Sequence, residues 1–225
     1  MKNGKDFVIL ADGKNSVFDG DNLSALSSNK TLIALDGAGE ILRKNSIVPD
    51  IILGDMDSIS RETLEKFLAL GVKILRRPDQ NFSDLEKAIF HCKEQGAQSI
   101  TITNATAGRF DHTIANIFFL KKYYSPHCDM RILDNGAAII YSENEGLIIR
   151  SAVGCKCGFF GTPRCKIFSN GLKYELDNFE LILGSSESIA NEFTRGEVKL
   201  KIIGQCLLTF ELNGKFPLTF QRQSP

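Results

Sequence analysis

Short apolar runs and longer amphipathic stretches alternate through the first 135 residues of the chain. Six apolar runs are typical of buried strands: residues 7–10, 31–35, 51–53, 72–75, 100–103 and 130–133. Apolar residues at helical spacing lie between several of these runs, as in Leu64, Phe67 and Leu68. Strand–helix alternation of this kind predicts an α/β fold with a doubly wound, mostly parallel sheet.

Specific residues mark the predicted helix boundaries. Gly71 ends the first amphipathic stretch, because glycine commonly follows the last turn of a helix. Ser83 and Glu86 have the spacing of a capping box and open a second helix, which ends at Gly96. A third helix before Pro126 is marked by Ile114, Ile117 and Phe118.

The helical period disappears after residue 135. Asn-Gly pairs at 135–136, 170–171 and 213–214 separate short apolar segments, and such pairs tolerate the positive φ angles of tight hairpins. This half predicts an all-β sandwich or small barrel of roughly eight strands. We therefore expect two domains, at residues 1–135 and 136–225.

Composition and charge exclude several classes of partner. The chain is 43% hydrophobic and 24% charged, as in ordinary globular proteins. Lys plus Arg and Asp plus Glu both total 27, so no excess charge attracts nucleic acid or a membrane surface. The first apolar run is too short for a signal peptide, and no run approaches a membrane span. We expect a cytoplasmic protein that binds a small, specific ligand.

The cysteines are expected to be reduced thiols in this compartment. A zinc site at Cys155, Cys157 and Cys165 is the less favoured alternative. These residues form no C-x-x-C pair and have no fourth ligand at a familiar spacing. Small residues that fill β-strands explain them better.

Two aspartates separated by one residue follow the third apolar run, in the segment LGDMDSIS. Positions two apart on an extended chain point to the same side, so Asp55 and Asp57 would face one small volume. Their repulsion would raise the pKa of one carboxyl unless a cation lay between them. Mg²⁺ is the natural candidate, since it binds carboxylates together with water and phosphate oxygens. The alternative is a solvated Asp-x-Asp turn.

Other chemically versatile segments follow neighbouring predicted strands. Ligands of an open parallel sheet bind beyond the carboxyl ends of its strands. Polar or glycine-rich residues follow four consecutive strands there, at positions 36–39, 55–57, 79–84 and 104–112. We expect these segments to share one edge of the sheet.

Three charged residues in or beside these segments have both a structural and a chemical interpretation. Asp84 would stabilise its helix through the helix dipole or would join the other aspartates around a cation. Lys87 would be a solvated charge or would reach a phosphate. The small-residue loop 104–108 and Arg109 suit phosphate oxygens. Together these features favour a magnesium-dependent reaction of a nucleotide.

Five segments, in order along the chain, resemble those of the thiamine pyrophosphokinase family. They extend from about residue 34 to residue 193 and cover both predicted domains. The combination of GDMDSI, DQNFSDLEKA and GRFDH is especially specific. The five segments are LDGAGEIL, VPDIILGDMDSI, PDQNFSDLEKAI, ATAGRFDHTIAN and GLKYELDNFELILGSSESIANEF.

The resemblance implies an enzyme that transfers diphosphate from ATP to the hydroxyl of thiamine, producing thiamine diphosphate and AMP. It implies Mg²⁺ as cofactor and ATP as co-substrate. It also implies a homodimer, with a catalytic domain at residues 1–135 and a thiamine-binding and dimerisation domain at residues 136–225. Thiamine would lie in a cleft at the subunit interface.

Individual roles follow from the matching positions together with the loop chemistry. The predicted metal ligands are Asp55, Asp57 and Asp84, and these residues with Arg109 and Asp111 form the predicted catalytic set. The predicted nucleotide-binding residues are Asp36, Gly37, Lys87, Asn104, Thr106, Gly108 and Arg109. The resemblance also implies that Asp36 is a further acidic residue near the metal ligands. The predicted thiamine-binding residues are Gln80, Tyr174, Ser188 and Asn191.

Two positions depart from the family pattern. Asn104 replaces a common glycine, and asparagine is the residue after glycine that best tolerates left-handed backbone. Ala190 replaces the serine that usually precedes the asparagine. Ser188 would then supply the hydrogen bond to thiamine, or the bond would be missing.

The proton acceptor and the substrate stay open at this point. Phosphoryl transfer needs alignment and neutralised charge, with Asp111 or a cluster carboxylate as candidate base. His112 would contact the ligand or only pack at the helix start. One alternative function is diphosphate transfer to another alcohol, such as a hydroxymethyl pterin. Another is a nucleotide-sensing module without turnover, which the complete set of acids and Arg109 argues against.

Overall fold

The computed structural model of the protein describes residues 5–13, 20–212 and 218–223. The chain divides into two compact units, Met1–Asn135 and Gly136–Pro225. Asn135 and Gly136, the first predicted Asn-Gly pair, have φ angles of 50° and 72°. The two positive angles are those of a tight turn of the type that Asn-Gly favours.

The first unit contains a sheet whose described strand pairs are all parallel, in the order β6-β5-β1-β2-β3-β4. The predicted parallel α/β fold is therefore confirmed. The strands are β1 (Asp6–Leu10), β2 (Thr31–Leu35), β3 (Ile51–Gly54), β4 (Lys73–Arg76), β5 (Ser99–Thr103) and β6 (Asp129–Asp134). The helices are α1 (Gly20–Ser27), α2 (Ala38–Lys44), α3 (Arg61–Ala69), α4 (Asp84–Glu94) and α5 (Phe110–Lys122).

The helix starts follow their local sequence. The Ser83 hydroxyl accepts the Glu86 N–H, while the Glu86 carboxylate accepts the Ser83 N–H, each at 3.3 Å. The predicted capping box is thus confirmed, and it fixes the first turn of α4. Ser60 caps α3 in the same way by accepting the Thr63 N–H.

Helices α2 and α5 differ from expectation. Helix α2 begins within the polar or glycine-rich positions 36–39 and continues through residues to which the sequence pattern assigned no element; it packs through the fully buried Leu42. Helix α5 forms as predicted, but Ile114 and Phe118 are 54% and 40% exposed. Its buried side chains are Phe119 and Leu120 instead. The spacing located this helix without identifying its packed face.

The second unit is antiparallel throughout its described strand pairs. Two long strands, β9 and β12, pair along most of their length, and shorter strands flank both. The predicted β-rich C-terminal domain is confirmed, and its third Asn-Gly pair lies outside the described residues. The strands are β7 (Ala137–Glu143), β8 (Gly146–Arg150), β9 (Lys156–Asn170), β10 (Phe179–Ile182), β11 (Ser188–Glu192), β12 (Glu197–Glu211) and β13 (Thr219–Gln223).

All six cysteines are buried free thiols, as the sequence predicted. Among the described residues, no group of three metal-binding side chains includes Cys155, Cys157 or Cys165. Within the same residues, every helix is too short or too polar to span a bilayer.

Candidate active site

Three carboxylates from separate elements converge beyond the carboxyl ends of strands in the first unit. Asp36 follows β2, Asp55 follows β3, and Asp84 begins α4. Each contributes one carboxylate oxygen to a group in which these atoms lie within 4.8 Å of one another. Asp36 is buried and the other two are half-buried. We call these three residues the acidic centre.

A glycine at the end of β3 allows this close approach. A Cβ atom on Gly54 would lie 2.8 Å from the Cβ of Asp36 and 3.0 Å from Oδ2 of Asp84. The first distance is shorter than non-bonded carbon atoms tolerate, so a larger residue would push the carboxylates apart. Gly54 is therefore part of the geometry of the acidic centre.

Asp36 also organises the loop that follows β3. Its carboxylate accepts the backbone N–H groups of Asp57, Ser58 and Ile59 at 2.9, 3.0 and 3.0 Å. Burial raises the pKa of Asp36, the three N–H donors oppose this shift, and the charge of Asp84 adds to it. Asp36, which the sequence assigned to nucleotide binding, thus fixes this loop and also belongs to the acidic centre.

Asp57 lies outside the acidic centre in this structure. Its side chain is exposed and accepts the Ser58 hydroxyl at 2.9 Å. The expected same-side arrangement with Asp55 depends on extended backbone, but β3 ends at Gly54 and Met56 has a φ of 70°. Asp57 still donates its backbone N–H to Oδ1 of Asp55 at 3.2 Å, and Asp36 takes the third place in the group that was predicted for Asp57. Asp57 stays a predicted ligand that the structure does not place in the group.

Lys87 lies beside the acidic centre, one turn into α4. Its Nζ is 2.9 Å from Oδ1 of Asp84, and its side chain is 7% exposed. A buried ammonium group needs a charged partner, and Asp84 provides one. The interpretation of Lys87 as a solvated charge is therefore wrong, because the side chain is enclosed.

Gln80 contacts the acidic centre directly. Its Nε2 donates to Oδ2 of Asp55 at 2.9 Å, and this bond is the largest cause of the lowered pKa of Asp55. Arg76 donates to the Asp55 carbonyl at 3.3 Å. The side chain of Gln80 is exposed beside the acidic centre. Its contact with thiamine stays a prediction.

The loop after β5 is tightly held over its first three residues. Asn104 is buried with a φ of 58°, and its Nδ2 donates to the Ala11 carbonyl at 2.7 Å. The left-handed backbone expected at this position is thus present. The N–H groups of Ala105 and Thr106 both donate to the carboxylate of Asp134. The predicted role of this loop as a set of free amides for phosphate is therefore corrected at these two residues.

The second part of the loop is exposed. Gly108 has a φ of 112°, and a Cβ there would meet no atom within 4 Å. Arg109 is 74% exposed and forms a two-point ion pair with Asp111, which lowers the pKa of that carboxyl to about 2. His112 is exposed and donates its N–H to Asp111 at the start of α5. The backbone of Gly108 and the guanidinium of Arg109, which the sequence predicts to bind phosphate, are therefore accessible.

Two predicted thiamine-binding residues of the second unit contact each other: the side chain of Asn191 is buried, and that of Tyr174 is exposed. Asn191 is buried, and its amide group bonds the backbone of Tyr174 twice: Oδ1 accepts the N–H at 3.1 Å and Nδ2 donates to the carbonyl at 2.7 Å. The Tyr174 side chain is 62% exposed. Ser188 is half-buried, and Ala190 has a φ of 56°. Asn191 thus fixes the backbone that presents the tyrosine ring.

Two acidic residues at the same edge of the first sheet were not found by sequence reasoning. Asp12 follows β1, and its Oδ2 would lie 2.3 Å from a Cβ on Gly37, so a larger residue at position 37 would displace the Asp12 side chain. Asp134 ends β6. Both follow the rule that located the other segments, namely that ligand-site residues lie beyond the carboxyl ends of parallel strands.

The fold and the site together define a class of protein. A parallel α/β unit with an acidic centre, an adjoining lysine and an exposed arginine at its ligand-binding edge is typical of enzymes that act on phosphate groups. A β-rich second unit follows it. A model described as "Thiamin pyrophosphokinase, catalytic domain" matches residues 23–132, and one described as "Thiamin pyrophosphokinase, vitamin B1 binding domain" matches residues 145–203. The chain belongs to the thiamin pyrophosphokinase family.

Individual relatives agree with this assignment. A thiamin pyrophosphokinase of Caenorhabditis elegans is 32% identical over 197 residues, covering 81% of this chain and 79% of the relative. A thiamine pyrophosphokinase of Arabidopsis thaliana is 29% identical over 226 residues, covering 95% of this chain and 80% of the relative. The family resemblance inferred from the five segments is confirmed.

Solved structures share the fold. A thiamine pyrophosphokinase from Bacillus subtilis superposes with a TM-score of 0.80 at 22% identity, over 92% of this chain and 99% of that one. The thiamin pyrophosphokinase from Candida albicans gives a TM-score of 0.80 at 19% identity, over 93% and 90%. These likenesses establish the same succession of an α/β unit and a β-rich unit.

Proposed function

We propose that this chain transfers the diphosphate group of ATP to the hydroxyl oxygen of thiamine, producing thiamine diphosphate and AMP. The observation that carries the proposal is the acidic centre with Lys87, located at the ligand-binding edge of a chain that matches both family domains. Neither a structural ion pair nor a solvated surface explains three converging carboxylates, one of them buried.

The acidic centre fits Mg²⁺ in its donor atoms and charge. Asp36, Asp55 and Asp84 offer hard carboxylate oxygens, and Gly54 leaves the space they need. The charge of Asp84 contributes to the raised pKa of Asp36, and a bound cation would relieve this repulsion. Mg²⁺ bound here would neutralise charge on the phosphate oxygens. Asp57 remains a further predicted ligand.

Lys87 and Arg109 would supply the positive charges of the protein itself. Lys87 is held by Asp84 and would face the ATP phosphates from a fixed position. Arg109 is exposed, and its guanidinium would exchange Asp111 for two phosphate oxygens. While the pair persists, the lowered pKa makes Asp111 a weaker base than an ordinary aspartate. Asp111 would therefore accept a proton only after Arg109 has moved to the nucleotide.

The thiamine side of the proposal uses Tyr174, Ser188 and Asn191, together with Gln80. Asn191 supports the backbone of Tyr174, whose exposed ring would stack on the pyrimidine of thiamine. We propose a homodimer, as the resemblance implies, which light scattering would test. The free thiols suit a reducing compartment such as the cytoplasm.

The test is incubation of the purified protein with ATP, Mg²⁺ and thiamine, with chromatography of the products. We expect thiamine diphosphate and AMP in equal amounts and no product when Mg²⁺ is chelated. A parallel incubation with a hydroxymethyl pterin tests the alternative alcohol. ATP turnover without thiamine diphosphate would point to another acceptor or to water, and ATP binding without turnover would support the sensing module.

A further inference from the structure

One carboxylate oxygen of Asp134 accepts three hydrogen bonds from the loop after β5. Oδ2 lies 2.8 Å from the Ala105 nitrogen, 2.7 Å from the Thr106 nitrogen and 2.8 Å from the Thr106 hydroxyl. The bonds join the end of β6 to the loop that follows its parallel neighbour, β5. Three hydrogen bonds to one oxygen thus fix the position of the loop relative to the end of β6.

Two other side chains hold the same short segment. Asn104 donates to the Ala11 carbonyl at 2.7 Å, and Asn116 of α5 donates to the Ala105 carbonyl at 2.8 Å. Residues 104–106 are thereby tied to three elements, whereas residues 108–112 are exposed. The loop has a fixed first part and an accessible second part.

We propose that Asp134 is a positioning residue for nucleotide binding, a role that rests on the proposed function. Its carboxylate occupies the amide groups of Ala105 and Thr106, so an incoming phosphate binds farther along, at Gly108 and Arg109. Because the first part of the loop is fixed, the second part begins from a defined point and loses less conformational freedom when the nucleotide binds.

The test compares ATP affinity, measured by calorimetry with Mg²⁺ and without thiamine, in the full-length protein and its variants. Asp134→Ala removes the acceptor of all three bonds, and we expect the Kd for ATP to rise about 10-fold to 100-fold, as for displaced substrate-positioning groups. Asp134→Asn keeps one acceptor oxygen of the same size and should restore most of the affinity. The melting temperature of each variant is measured beside the Kd.

The matched control is Asp50→Ala. Asp50 is also half-buried and accepts a backbone N–H, that of Leu32 at 2.7 Å, but it precedes β3 at the opposite edge of the same sheet. We expect this variant to lose stability without losing ATP affinity. If Asp134→Ala fails to fold, Asp134→Glu retains the charge but displaces the acceptor, and it should weaken ATP binding.

Three results would overturn the inference: unchanged ATP affinity in folded Asp134→Ala, equal weakening in Asp50→Ala, or an Asp134→Asn variant as weak as the alanine variant. The last result would assign the effect to charge instead of loop geometry. Failure of the proposed function would give a different result. In that case the wild-type protein binds ATP but forms no thiamine diphosphate, and the affinity comparison still tests Asp134.

Discussion

The acidic centre and the segment 108–112 share the ligand-binding edge of one sheet, but they are built differently. The acidic centre is attached to buried strands, and its loop is fixed by three N–H bonds to Asp36. The segment 108–112 is exposed, and its arginine is neutralised by a neighbour two residues away. The first region is therefore fixed by the fold, whereas the second is exposed and would have to exchange Asp111 for any anion that it binds.

This difference separates two kinds of contribution to binding. When folding already holds the charged groups in place, a ligand does not have to order them. Nearly all of the interaction free energy then contributes to binding. An exposed ion pair is worth little by itself and is easily exchanged. We therefore expect substitutions in the two regions to differ in the size of their effect and in their effect on stability.

Asp84→Asn should give the largest combined loss of activity and stability. The substitution preserves shape but removes one charge from the acidic centre, and this charge is also the ion-pair partner of the buried Lys87. We expect kcat/KM for thiamine diphosphate formation to fall about 1,000-fold, the upper range for removal of one electrostatic group. Glu94→Gln, at the exposed end of the same helix, is the control and should retain wild-type activity. Substantial activity in Asp84→Asn would remove the acidic centre from the mechanism.

Asp57→Asn tests the boundary of the acidic centre. The sequence assigns Asp57 to the metal, and we expect the substitution to abolish turnover. Because the side chain is exposed, the free energy of unfolding should change by no more than about 0.5 kcal/mol. Urea unfolding and the product assay measure the two quantities. An unimpaired variant would limit the metal ligands to Asp36, Asp55 and Asp84.

Arg109→Ala should reduce kcat/KM about 100-fold, because it removes a guanidinium that would contact phosphate oxygens. The melting temperature should not change, since both members of the Arg109–Asp111 pair are exposed. Arg109→Lys should restore little, because lysine cannot make the two-point contact. Arg61→Ala removes another exposed ion-paired arginine, on α3, and serves as the control. Full activity in Arg109→Ala would exclude this segment from phosphate binding.

The smallest expected effect is that of Glu40, which holds the loop between β3 and α3. Its carboxylate accepts the Ser60 N–H at 2.8 Å, where the loop after β3 enters α3. Burial raises the pKa of Glu40, but hydrogen bonds from Ser60, Thr63 and Arg43 together lower it to about 2. A lowered folded-state pKa stabilises the protein above the unfolded value, and this stabilisation is lost as the pH falls from about 4.5 toward 2.

Glu40→Gln should therefore reduce the free energy of unfolding by about 1–2 kcal/mol at pH 7 and by much less near pH 2. Chemical denaturation at several pH values measures this dependence. Glu62→Gln is the control, because Glu62 is exposed and only bonds Arg43 at 3.4 Å among the contacts described for it. A constant difference between Glu40→Gln and wild type across this pH range would contradict the assignment.

The sequence by itself determined the alternation of strands and helices in the first unit and the change to strands after residue 135, because hydrophobic period and helix capping are local properties. The capping box at Ser83 and Glu86 formed as expected, and Gly71, Gly96 and the Asn135-Gly136 pair have the positive φ angles of helix ends and tight turns. The rule for parallel sheets also brought Asp55 and Asp84 together. These inferences needed only residue spacing and the topology that spacing implies.

Only the tertiary structure decided which side chains meet. Asp36, which lies far earlier in the chain, joins Asp55 and Asp84 in the acidic centre, whereas Asp57 stays outside it. Likewise, the amides of Ala105 and Thr106 are occupied by Asp134, which comes from the next strand. Backbone angles at a strand end and contacts between distant residues depend on how the elements pack. The periodicity of a sequence locates an element, but it does not show which distant partner covers that element, and in α5 it did not identify the packed face.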